Sequence, residues 1–167
     1  SIGRVSHLPV LRLAPVKENR NNCPFLTGDR CAIHDAEPLV CALYPLAQEI
    51  SRKGQVSYFL QPTGCGGQVI EARVEDYLAR YDVPAREQTD VRWAQTCMTL
   101  EDTVEQLGAQ LSPVLVRRMQ DKLWQALYFG YDYAAPFLPQ LEKNLYWLDA
   151  EFAKLTEYQQ KRNNTSK

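Results

Sequence analysis

The sequence lacks long apolar runs and lacks an excess of charge of either sign. No apolar stretch in its 167 residues approaches the roughly 18 residues that cross a bilayer, so we do not expect a membrane-spanning helix. Lys plus Arg number 19 and Asp plus Glu number 20, which leaves a formal net charge of −1. Because phosphate binding needs a basic surplus, we expect neither nucleic acid nor an acidic membrane surface as a partner.

Histidine is also scarce, with 2 residues in the chain, so general acid–base catalysis lacks its most common side chain. The sequence contains no G-x-S-x-G, H-E-x-x-H or P-loop motif. Gly64, Gly66 and Gly67 do not form the glycine pattern that cradles a dinucleotide or S-adenosylmethionine. The residues therefore indicate no reaction type, and whether the chain is an enzyme stays open at this stage.

Proline and glycine are frequent in residues 1–67, where apolar residues show little periodicity. Short strands are predicted at 10–13 and at 55–60. The second strand is expected to pair with residues 47–51 through a turn that contains Lys53-Gly54. This half of the chain is predicted to be loop-rich.

From residue 68 onward the apolar residues follow helical spacing. The predicted helices lie at about 69–82, at about 99–110 with Thr99 and Asp102 as a capping box, and from Ser112-Pro113 to near Gly130. The predicted fold is mainly α, with a loop-rich, short-stranded cysteine module at residues 1–67. A helical region at residues 68–167 is expected to pack on that module as one compact unit.

The last helix carries the most regular apolar seam of the chain, with spacings of three and four throughout. Its members are Leu138, Leu141, Leu145, Leu148, Phe152 and Leu155. Such a seam favours antiparallel packing on a neighbouring helix, and the alternative is a homodimer or another protein partner. The aromatic residues between 124 and 137 are expected to form the joint between two helices rather than a ligand groove.

Five cysteines are present, and four of them fall within the first 65 residues, spaced Cys23-x7-Cys31-x9-Cys41-x23-Cys65. An odd, clustered set without a recognisable secretion leader favours metal binding over a disulfide framework, and we expect a cytoplasmic location. Soft thiolates suit Zn²⁺ or an iron–sulfur cluster, although the tight knuckles of zinc ribbons are missing. Disulfides or inert buried thiols remain the alternative reading of this set.

The residues around these cysteines form a pattern of four segments. They are Cys23-Pro24-Phe25-Leu26, Cys31-Ala32-Ile33-His34, Glu37-Pro38-Leu39-Val40-Cys41 with Tyr44-Pro45, and Cys65-Gly66-Gly67. Over about residues 10 to 70 this pattern resembles the zinc- or iron-chelating domain family, the YkgJ-type CxxCxxCC cysteine-cluster proteins, to which a domain of flagellin lysine N-methylase is related. The resemblance implies a metal centre ligated by Cys23, Cys31, Cys41 and Cys65. A [4Fe–4S] cluster is favoured over Zn²⁺, since wide loops suit a cluster.

Three positions depart from the family pattern. His34 replaces a Tyr, whereas Glu37 and Ala42 replace arginines that would offset an anionic cluster or hold an acidic partner. The upstream C-x2-C and C-C groups of the family are absent. Since the chain opens with Ser1 and not Met, either a preceding segment supplies those thiols or this branch works with fewer.

The function favoured by the sequence is that of a metal-binding cysteine-cluster protein, iron–sulfur in type, with a redox, sensing or accessory role. One alternative is an enzyme similar to protein lysine N-methylase, for which we find no methyl-donor site. Another is a structural zinc module that recruits a partner through its C-terminal helix. We expect His34 to be a packed or hydrogen-bonded ring rather than a ligand, and Cys97 to be a buried thiol rather than a fifth ligand.

Overall fold

A computed structural model describes residues 7–11, 23–28, 30–62 and 73–165. Most of these residues are helical, and the two small sheets have two strands each, so the predicted mainly α fold is confirmed. A 3-10 turn, His34–Ala36, precedes the first α-helix, and a π-helical turn, Gln125–Phe129, follows the fourth. In chain order the regular elements are β1 (Leu26–Thr27), β2 (Arg30–Cys31), α1 (Leu39–Ala42), β3 (Leu46–Ile50), β4 (Val56–Leu60), α2 (Val74–Ala79), α3 (Val83–Gly108), α4 (Pro113–Trp124) and α5 (Phe137–Thr165).

The chain divides into two compact units. One comprises Ser1–Leu11 and Cys97–Lys167, and the other comprises Arg12–Thr96, so the long helix α3 contributes residues to both. The boundary predicted after residue 67 lies outside the described residues. None of the helices in the described ranges combines the length and the apolar character that crossing a membrane requires.

The predicted hairpin of the Arg12–Thr96 unit is confirmed. β3 and β4 pair antiparallel, with Leu46 opposite Leu60 and Ile50 opposite Val56. Gly54 turns the hairpin with a φ of +77°, a backbone conformation that favours glycine. The earlier predicted strand is not seen at residues 10 and 11, and its residues 12 and 13 lie outside the described ranges.

The prediction of a separate short helix beginning at Thr99 is wrong. Thr99 lies inside α3, where its carbonyl oxygen accepts a hydrogen bond of 3.0 Å from the Thr103 hydroxyl. A capping box needs a break in the preceding chain, and residues 85–98 contain neither Gly nor Pro. The helix predicted before Pro84 is α2, which ends at Ala79, and Pro84 itself lies in the first turn of α3, where its missing N–H breaks no helical hydrogen bond.

In the other unit α4 and α5 pack antiparallel, as the apolar seam predicts. The Gln159 side-chain oxygen accepts a hydrogen bond from the Ser112 backbone N–H at one end, and Lys122 pairs with Glu151 at 2.8 Å further along. Four of the six seam residues are buried, namely Leu141, Leu148, Phe152 and Leu155. Because these residues already pack within the chain, they are not free to form a partner interface.

The aromatic residues between α4 and α5 form the predicted joint. The rings of Trp124 and Tyr128 lie 5.3 Å apart, and those of Tyr131 and Phe137 stack at 5.2 Å. Such spacings are typical of stabilising aromatic pairs. They fix the short connection that reverses the chain direction between the two helices.

Candidate functional site

Cys23 and Cys31 lie at the same end of a small hairpin. The backbone N–H of Leu26 donates to the Cys23 carbonyl oxygen at 3.1 Å, which closes a turn over Pro24 and Phe25. Leu26 then pairs with Cys31 across β1 and β2. The Ala32 N–H extends the pairing with a hydrogen bond of 2.7 Å to the Phe25 carbonyl oxygen. The proline after the first cysteine and the strand pairing therefore hold these two cysteines together despite seven intervening residues.

Cys41 belongs to a different local structure, the single turn of α1. Its N–H donates to the Pro38 carbonyl oxygen at 2.8 Å, and the next two residues, Ala42 and Leu43, are buried. The buried pair anchors the backbone while the Cys41 side chain stays exposed. A hairpin and a helical turn thus present three cysteines from rigid backbone, which is what a metal ligand needs.

Nearby negative groups affect the Cys41 thiol electrostatically. Burial, the carboxylate of Glu37, and then Cys23 and Cys31 raise the pKa of the Cys41 thiol. Cys23 and Cys31 are therefore near enough for their charge to act on the Cys41 thiol. All are free thiols, so no disulfide joins the cysteines in the described residues.

The fourth predicted ligand, Cys65, lies outside the described residues. Within the described ranges no group of three or more His, Cys, Asp or Glu side chains is arranged to hold a metal ion. Cys23 and Cys31 share one hairpin and Cys41 lies on α1, but these three cysteines do not by themselves form a ligand set. The four-cysteine centre stays a prediction.

His34 is not the packed ring that its position predicts, because its side chain is 72% exposed. The 3-10 turn His34–Ala36 is too short to carry the His34 ring into the core. The Nδ1 atom of His34 instead lies 3.4 Å from a carboxylate oxygen of Glu37. The exposed ring thus lies against the Glu37 carboxylate. The Glu37 side chain is only 13% exposed, so the exposed ring partly covers an inward carboxylate.

A cavity of about 290 Å³ opens beside this pair of residues. Tyr81 and Arg86 also line it, and no sequence motif marks either residue as part of a site. They lie more than forty residues beyond Glu37 in the chain, so no local motif joins them to it. Only the packing of the Arg12–Thr96 unit brings these groups to one cavity.

Cys97 has different surroundings from the other three thiols. It lies half-buried on α3. Burial and, secondarily, the carboxylate of Glu101 raise the pKa of the Cys97 thiol to about 11. A thiol of this kind stays protonated at neutral pH and is a poor metal ligand.

Comparisons with known proteins found no match, whether among family models, curated proteins or solved structures. The likeness to YkgJ-type proteins therefore rests on the four cysteine-containing segments of the sequence.

Proposed function

We propose that this chain is a metal-binding cysteine-cluster protein of the YkgJ type. Its centre is ligated by Cys23, Cys31, Cys41 and Cys65 and holds a [4Fe–4S] cluster in preference to Zn²⁺. The support comes from two local structures: a hairpin carries Cys23 and Cys31, and α1 carries Cys41, whose pKa those two thiols raise. Their softness fits either metal.

The electrostatics support a cation at this place. Each neighbouring negative group makes the Cys41 thiolate harder to form, so three thiolates beside Glu37 are unfavourable without a counter-charge. A bound metal supplies that charge and deprotonates its thiol ligands. The negative charge of Glu37 repels an anionic cluster. A centre beside Glu37 therefore needs more positive charge from its surroundings than a centre flanked by arginines.

The exposure of the thiols favours a redox or sensing role. Cys23 and Cys41 are exposed and Cys31 is half-buried, so the centre lies near the protein surface. A surface centre exchanges electrons or reacts with small oxidants readily, and solvent exposure also affects cluster potential. Free thiols on this surface also favour a reducing compartment such as the cytoplasm.

Metal analysis of the full chain tests this proposal. We expect anaerobically purified protein to contain iron and acid-labile sulfide and to be coloured. Serine substitution of Cys23, Cys31, Cys41 or Cys65 should each reduce the metal content severely, whereas Cys97→Ser, the matched control, should leave it unchanged. Stoichiometric zinc in a colourless protein would show that the four cysteines bind zinc and not a cluster. Absence of both metals, or equal loss in Cys97→Ser, would refute the four-cysteine centre.

A further inference from the structure

The cavity beside α1 is a candidate ligand site distinct from the cysteines. Its volume of about 290 Å³ is near the lower end of the range for small-molecule pockets. Asp35 and Glu37 bring carboxylates to its lining and Arg86 of α3 brings a guanidinium, while His34, Leu39, Ala42 and Tyr81 contribute the rest. The space therefore suits one compact polar molecule.

Charges of both signs line this cavity without neutralising each other. Within the described residues, neither Asp35 nor Glu37 forms an ion pair with Arg86, and the contact of Glu37 is with the His34 ring. The carboxylates and the guanidinium come from segments far apart in the chain. Arg86 also acts electrostatically on Asp90 of its own helix. Charges that line one small cavity without pairing with each other can be satisfied by solvent or by a ligand of complementary charge.

The aromatic wall is fixed in place. The Tyr81 ring meets the Tyr77 ring edge-on, with centroids 5.4 Å apart, and the Tyr77 hydroxyl contacts the backbone carbonyl of Ala42. Tyr81 thus presents a preset surface next to the carboxylates. Aromatic rings attract ammonium groups that lie over their faces.

We propose that this cavity binds a small zwitterion, of which an α-amino acid is the simplest example. The Arg86 guanidinium receives the ligand carboxylate, for which its planar fork is suited. Asp35, Glu37 and the Tyr81 ring receive the ammonium group. A simple anion would face two carboxylates and a simple cation would leave Arg86 unsatisfied, so neither satisfies all of the charges. The site does not depend on a metal at the cysteines.

Titration of the isotopically labelled full chain by NMR tests the proposal with glycine as probe. Acetate and methylammonium, each with one of the two charges, are the comparison ligands. Glycine should shift the amide signals of residues 35–37, 39–42 and 86 to saturation, with an affinity at least about tenfold above either comparison ligand, a difference of about 1.4 kcal/mol. If the three compounds bind with equal affinity, or if none shifts these signals, the proposal of a zwitterion site is refuted without any variant.

Variants then assign the groups. Arg86→Gln and Glu37→Gln should each weaken glycine binding by about tenfold or more. Their matched controls are Arg73→Gln and Glu75→Gln, an exposed pair at the start of α2. These should bind as the parent does, and an equal loss in a control would refute the assignment. Cys41→Ser should retain glycine binding even when metal is lost, which separates this site from the proposed metal centre.

Discussion

The hydroxyl of Tyr77 lies 2.8 Å from the carbonyl oxygen of Tyr44. The same hydroxyl is 3.0 Å from the carbonyl oxygen of Ala42, so its single proton serves two acceptors. Tyr77 belongs to α2, whereas Ala42 and Tyr44 flank the end of α1, directly after Cys41. One side chain thus fastens the segment that presents a predicted metal ligand.

Replacing Tyr77 by Phe should loosen that segment. The substitution keeps the ring but leaves two carbonyl oxygens without this donor, and we expect the free energy of unfolding to fall by about 1 kcal/mol. Cys41 should also react faster with iodoacetamide, because its backbone support is weakened. Urea unfolding and mass spectrometry of the alkylated peptides measure the two effects. Tyr133→Phe is the control, since the Tyr133 side chain is 96% exposed, and equal effects in both variants would contradict this role for Tyr77.

The packing of α5 on α4 makes a second prediction. Leu148 has no exposed surface, so Leu148→Ala removes apolar contacts and leaves a cavity. We expect a loss of about 2 to 5 kcal/mol in the free energy of unfolding. Val114→Ala on α4, where the side chain is 62% exposed, should change it by less than about 0.5 kcal/mol. Similar losses in denaturant titrations of the two variants would mean that the seam does not form the core.

Periodicity predicted α5 well because Leu141, Leu148 and Phe152 repeat at helical spacing and all face the core. The capping box predicted at Thr99 was wrong because a capping signal is local. The helix α3 continues through Thr99 because the fourteen residues 85–98 contain neither Gly nor Pro. Local sequence cannot distinguish a capping threonine from one whose side chain lies on the surface of a long helix.

The two candidate sites also differ in how far the sequence predicts them. The proximity of Cys23 and Cys31 follows from a local turn and strand pair, which their flanking residues indicate. The meeting of Glu37 with Arg86 at one cavity depends on tertiary packing between segments of no common motif. The sequence therefore indicated the thiols but could not indicate the charged cavity beside them.

A third prediction concerns the end of the π-helical turn. Asn144 of α5 donates hydrogen bonds to the carbonyl oxygens of Ala126 and Gly130 at 3.2 and 3.0 Å. A Cβ atom added at Gly130 would lie 2.9 Å from the Asn144 amide nitrogen and 3.1 Å from the Gln125 carbonyl oxygen. Gly130→Ala should therefore cost about 1 to 3 kcal/mol of stability.

Two comparisons isolate the cause of that loss. Gly108→Ala has open space around its added Cβ and should be neutral or stabilising by up to about 1 kcal/mol. Asn144→Ala alone should cost about 1 to 3 kcal/mol through the lost hydrogen bonds. If the clash is with the Asn144 amide, the double variant should lose less than the two single losses together, as measured by thermal or urea unfolding. Strict additivity would show that the Gln125 carbonyl oxygen is the obstacle instead.

The pKa of Cys97 gives a fourth prediction, on alkaline stability. In the folded protein the pKa of this thiol is raised to about 11 by burial, whereas an unfolded cysteine titrates near 8.5. Between these values the unfolded chain releases the proton first, so the free energy of unfolding falls as pH rises through that window, by about 3 kcal/mol at most. Below it both states are protonated and Cys97 has no effect on pH dependence. Cys97→Ala should show a shallower fall over the same window in urea unfolding, and parallel curves would mean that the folded thiol titrates normally. The difference between the two curves reports Cys97 together with its effect on Tyr128 and Tyr131, whose pKa values are raised by burial and by the charge of Cys97.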